Sequence, residues 1–106
     1  MSYRFMRVIV FFDLPVVTTE DMREYRKFRK YLIKNGFIMV QESVYVKLAA
    51  NSNTADAVSD NLRKNKPTNG LVQVLKVTEK QYNRMECIVG ECKSDIIDTD
   101  ERLIIL

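Results

Sequence analysis

The run Val8-Ile9-Val10-Phe11-Phe12, closed by Asp13, constrains the fold of this chain more than any other stretch. Side chains on a strand alternate between two faces, so a half-buried strand reads apolar, polar, apolar. This strand is apolar at odd and even positions alike and calls for cover on both sides. A chain of 106 residues, 46% of them hydrophobic, has material for one core and one layer of helices. The strand, read from about Tyr3 to Asp13, is therefore expected to meet its own helices on one face and a second copy of the chain on the other.

The remaining punctuation gives an order of elements. Pro15 stops the first strand, and Thr18 with Asp21 stands at capping-box spacing before a helix running to about Asn35. Met22, Tyr25, Phe28 and Leu32 draw its core-facing stripe, and Gly36 ends it. Phe37 to Ala50 reads as a β-hairpin broken near Gln41 to Ser43. Asn51 to Asn53 offers caps for a second helix with Ala55, Val58 and Leu62 on its apolar side, and Pro67 and Gly70 close it. Leu71 to Val77 is a fourth strand, Thr78 with Gln81 caps a single helical turn, and Cys87 to Val89 is a short strand. The order β-α-β-β-α-β is that of an α+β, ferredoxin-like sandwich, here with an extra C-terminal strand and paired as a two-fold homodimer through the sheets. Residues 1–90 form the ferredoxin-like domain, and residues 91–106 form an acidic C-terminal segment ending in a strand that docks on the mate or on a partner protein.

Composition narrows the chemistry. The chain has no histidine, and Cys87 and Cys92 are its only cysteines, so neither a zinc site nor a Cys-His nucleophile can be assembled locally. Hydrolysis would have to use carboxylates, a metal, or both. No stretch approaches the roughly 18 apolar residues of a membrane span, and the N-terminal stretch lacks the pattern of a signal peptide. A cytoplasmic protein with no membrane partner is expected. Residues 1–90 carry 15 Lys and Arg against 9 Asp and Glu, while residues 91–106 carry 2 against 5. A basic body suits an anionic partner, most simply nucleic acid.

Three features could carry function. Asp13 ends the most apolar strand; it reads either as a metal ligand near a dimer axis, shared by two copies around Mg²⁺, or as a turn aspartate before Pro15. Arg23, Lys27, Lys30 and Lys34, spaced four, three and four apart and flanked by Arg26, form one ridge opposite the apolar stripe. The ridge reads either as a phosphate footprint for duplex nucleic acid or as an ordinary solvated face. The terminal Leu103-Ile104-Ile105-Leu106 follows an acidic run from Asp95 to Glu101. That apolar end can add to its own sheet, to the sheet of a mate, or to another protein.

Together these stretches resemble the Cas-two family of CRISPR spacer-acquisition proteins over nearly the whole chain. The resemblance is carried by Phe11-Phe12-Asp13-Leu14-Pro15, by Arg26 through Leu32 to Gly36 with Gln41, Ser43, Val44 and Tyr45, and by Gly70 to Thr78 with Gln81. Asp98 to Leu106 resembles the variants found alongside type II systems. It implies a dimer joined through the sheets, C-terminal segments crossing to the mate, a bridge between two Cas-one integrase dimers, and double-stranded DNA on the basic surface. It also implies that Asp13 matches a metal-associated aspartate, with weakly held Mg²⁺, credited in some members with RNA or DNA cleavage. Phe12 departs from the tyrosine common before that aspartate, and Ile38, Met39 and Val40 leave the second strand without a basic residue carried by several nuclease-active relatives. The expected role is a dimeric DNA-binding scaffold in spacer acquisition with accessory endonuclease activity. The alternatives are a metal-dependent ribonuclease or interferase toxin of related fold, and a ligand-binding regulatory module.

Overall fold

The computed structural model of the chain describes residues 5–91. Its elements are β1 (Met6–Asp13), α1 (Thr19–Lys34), β2 (Ile38–Gln41), β3 (Val44–Ala49), α2 (Ser52–Lys64), β4 (Leu71–Thr78) and α3 (Glu79–Tyr82). The strands make one antiparallel sheet in the order β2-β3-β1-β4, with β1 paired to β3 and to β4. That is the ferredoxin-like arrangement expected from the element order.

Local signals place the boundaries. The Thr18 hydroxyl accepts the Asp21 N–H at 3.0 Å, and the Asp21 carboxylate accepts the Thr18 N–H at 3.1 Å, so two donors at the start of α1 are satisfied reciprocally. Asn51 accepts from the Thr54 N–H at 2.8 Å at the start of α2, and Thr78 with Gln81 repeats the reciprocal pair at α3. Gly36, at φ +89°, reverses the chain after α1 so that the Phe37 N–H reaches the Leu32 carbonyl at 2.9 Å.

Cross-strand partners point to the same side of a sheet, so the β1 registers sort the whole sheet into two faces. Val8, Val10 and Phe12 lie on the helix side with Tyr45, Ala49, Phe28, Leu32, Ala55 and Leu62, and this is the main core. Phe12 meets Phe28 edge-on with ring centroids 5.4 Å apart, and Tyr25 at 6.1 Å. The Tyr45 hydroxyl, sealed inside, accepts a hydrogen bond from Arg29 Nε at 2.9 Å. Met22 is not part of this core and stays exposed. At 100° per residue it sits roughly 80° around the helix from Leu32, on the flank away from α2, whereas Tyr31, displaced the other way, packs against the core.

Arg7, Ile9, Phe11 and Asp13 occupy the opposite face. The chain's own α3 folds over one end of it, where Tyr82 packs with Ile9 and Val46. Cover on this side therefore comes partly from within the chain, a contribution the alternation in β1 does not reveal. Farther along, Phe11 remains 38% exposed beside Leu71 at 54% and Leu75 at 50%. Residues 87–89 form no strand within the described residues; Ile88 and Val89 lie open after α3 with no ladder partner there. The acidic segment and its terminal Leu103 to Leu106 lie outside the described residues.

Candidate metal and nucleic-acid site

Asp13 is the last residue of β1 and stands opposite Leu71 in the β1–β4 register. Alternation puts its carboxylate on the open face, two positions beyond Phe11. Gly70 fixes the backbone here. It adopts φ +93°, and a Cβ on it would lie 2.8 Å from the Asp13 carbonyl oxygen and 2.7 Å from a Leu14 methyl. A glycine is required both by the left-handed backbone and by the space. The sequence shows Gly70 as a helix terminator, but its contact with Asp13 depends on β4 lying beside β1, which only the fold supplies.

Among the described residues no group of three or more His, Cys, Asp or Glu converges to hold a metal. One exposed carboxylate per chain fits Mg²⁺ only as an ion that keeps most of its waters, and a second Asp13 brought up by another copy would double the protein's share. The donor chemistry, oxygen alone, suits a hard cation and no thiophilic one.

The basic ridge forms as the spacing predicts. Arg23, Arg26, Lys27, Lys30 and Lys34 all lie on α1 and are exposed. From Arg23 to Lys34 the helix rises roughly 16 Å. Arg23 is paired with Glu20 at 3.2 Å, an exposed contact of small energetic weight. Arg29, the remaining cation of the helix, is engaged by the buried Tyr45 hydroxyl while its side chain stays partly in solvent. The ridge and Asp13 do not form one site in a single chain. Asp13 lies on the open face of the sheet and α1 packs on the other, so the two are separated by the thickness of the sheet layer and share only the end of the molecule where β1 leads into α1.

A further element, absent from the residues singled out in the sequence, holds the open face in shape. Arg7 is buried there; its Nε donates to Glu79 Oε1 at 2.5 Å and its Nη2 to Oε2 at 3.0 Å. The guanidinium also lies 4.6 Å from the Tyr82 ring centroid. An arginine inside an apolar run was the available signal, legible only once α3 is known to return to β1.

Comparison with known proteins adds an independent line. Residues 6–85 match the family model described as CRISPR associated protein Cas2. A curated CRISPR-associated endoribonuclease Cas2 from Treponema denticola is 59% identical over 101 residues, spanning 95% of this chain and 100% of that protein. Proteins of the same name from Ligilactobacillus salivarius and Streptococcus mutans are each 46% identical, over 95% of this chain and 100% and 93% of their own lengths. No helix among the described residues is long and apolar enough to cross a membrane.

Proposed function

The chain belongs to the CRISPR associated Cas2 family, and we propose that it is a CRISPR adaptation protein: a two-fold dimer that carries double-stranded DNA on its basic helices and bridges Cas-one integrase dimers during spacer acquisition. One observation carries this reading. Phe11, Leu71 and Leu75 stay exposed on the sheet face turned away from α1 and α2, with Asp13 at the end of the strand that carries Phe11. Closing that face with a second copy hides the apolar side chains, brings two Asp13 carboxylates toward one axis, and leaves both α1 ridges outside. The ridge residues Arg23, Arg26, Lys27, Lys30 and Lys34 then contact phosphates without reading bases, since no aromatic alternates with them. Leu103 to Leu106 are the proposed partner-binding strand toward the mate or the integrase.

Endonuclease activity at the paired Asp13 is the accessory part of the proposal. The names of the relatives, endoribonuclease in each case, favour RNA as its substrate. Weakly held Mg²⁺ would be bound by Asp13 of both copies and, when bound, offsets phosphate charge and activates water. In this chain Asp13 would orient the ion, Gly70 would fix the Asp13 backbone, and no histidine is present to move a proton.

Purified protein tests both parts. Binding of mixed-sequence duplex should weaken with salt and survive Asp13→Ala, while Mg²⁺-dependent RNA cleavage should vanish in the same variant. Cleavage undiminished by Asp13→Ala would remove the aspartate from the chemistry. A monomer at high concentration would remove the paired site altogether.

A further inference from the structure

Between α1 and the segment that leaves α2 lies a cavity of about 150 Å³ whose lining includes Lys27, Lys64 and Lys66. Lys27 comes from the middle of α1, and the other two from 37 and 39 residues later, so their meeting is a product of the fold. Tyr31 and Asn65 add polar groups to the same wall, and Glu24 is the acidic residue facing the three cations there. Burial pushes the Tyr31 hydroxyl pKa up, against a hydrogen bond with the Asn65 side chain that lowers it.

The pairing of nearby cations is informative. Arg63 is held by Asp60, and Lys76 by Asp56 at 2.8 Å. Lys27, Lys64 and Lys66 take part in no ion pair among the described residues. The negative carbonyl end of α2 accounts for Lys64 in its last turn. It accounts for neither Lys66, which lies past the cap, nor Lys27 on another helix. Three lysines that outnumber the one carboxylate on the wall, around a cavity with room for a phosphate group and its waters, form a site suited to a phosphate group.

We propose that Lys27, Lys64 and Lys66, with the Tyr31 hydroxyl, form a phosphate pocket that extends the α1 ridge across to α2. The ligand is a phosphate of a nucleic-acid strand. The inference rests on the nucleic-acid-binding reading above and adds two phosphate-binding residues, Lys64 and Lys66, and a direction: the strand leaves the ridge at Lys27 and crosses toward α2.

The full chain is titrated with duplex DNA, with and without 5′-phosphates, across a range of salt. The Lys64→Gln/Lys66→Gln variant should lower the slope of log affinity against log salt by about 1.8, at about 0.9 for each phosphate no longer neutralised. The single variant Lys80→Gln, changing an exposed lysine on α3, should leave the slope unchanged. A drop confined to 5′-phosphorylated duplex assigns the pocket to strand ends, and a drop in both assigns it to the backbone; either supports the site. An unaltered slope, or an equal drop per lysine in Lys80→Gln, overturns it. Should the wild-type chain bind no duplex, the scaffold reading fails on its own, and titration with inorganic phosphate then decides the pocket. Saturable amide shifts at residues 64–66 that disappear in Lys27→Gln support it, and their absence in the wild type overturns it.

Discussion

Arg7 and Glu79, 72 positions apart, grip each other through two parallel hydrogen bonds, and Arg7 keeps only 3% of its surface exposed. The pair ties α3 to β1 and thereby seats Tyr82 over Ile9 and Val46. Removing Glu79 takes both of these charge-assisted hydrogen bonds from a guanidinium that is itself buried. Glu79→Ala should therefore destabilise the chain by about 3 kcal/mol, read as a lower denaturant midpoint. Arg7→Met, which removes the trapped charge but keeps the stem, should cost less. Equal destabilisation in the two variants would show that packing against Tyr82, rather than charge, dominates.

Gly70→Ala combines a left-handed backbone with a Cβ driven onto the Asp13 carbonyl. A fall in stability of about 1 to 3 kcal/mol is expected, together with abolition of Mg²⁺-dependent cleavage. The companion variant Gly90→Ala is the control: it also has positive φ, but no described residue lies within 4 Å of the added Cβ. If both variants cleaved and melted alike, the close approach to Asp13 would carry no consequence.

Charge placed on the open face should split the proposed dimer without unfolding the chain. Leu75→Glu alters a half-exposed side chain, so the cost within one chain should stay near roughly 0.5 kcal/mol. Sedimentation should shift from dimer to monomer, with the far-UV spectrum unchanged. An unaltered dimer would put the interface elsewhere.

Reversing Lys27 and Lys30 to glutamate should reduce duplex affinity by about tenfold or more at low salt and flatten its salt dependence by about 1.8. Both side chains are exposed, so melting should hardly move. Affinity that persisted unchanged would dismiss α1 as the binding surface.

Much of the architecture was legible because each boundary carries a local signal. Thr18 with Asp21, Asn51, Thr78 with Gln81, and Gly36 act over three or four residues, and all four work as their spacing implies. The stripe of α1 was legible except at Met22, because periodicity alone cannot say how wide a face the neighbouring α2 and sheet will cover. Cys87 to Val89 misled for a related reason: apolar β-forming residues make a strand only when an edge is there to pair with. In the candidate site, the place of Asp13 at the end of β1 and of the α1 cations on one exposed face could be read directly. Gly70 against Asp13, Arg7 against Glu79, and Lys27 beside Lys64 and Lys66 could not, since each joins residues distant in sequence through the sheet or the helix layer.

Alternation along β1 couples folding to chemistry in a way that restricts how such a chain can change. Val8, Val10 and Phe12 turn to the helices while Ile9, Phe11 and Asp13 turn away. Inserting or deleting one residue within the strand, between Val8 and Asp13, would put its two parts out of phase, so that the core valines and the aspartate could no longer both keep their faces. The strand can tolerate substitution at individual positions, yet its phase is fixed: a lineage altering its length must do so in steps of two or surrender either the core or the aspartate.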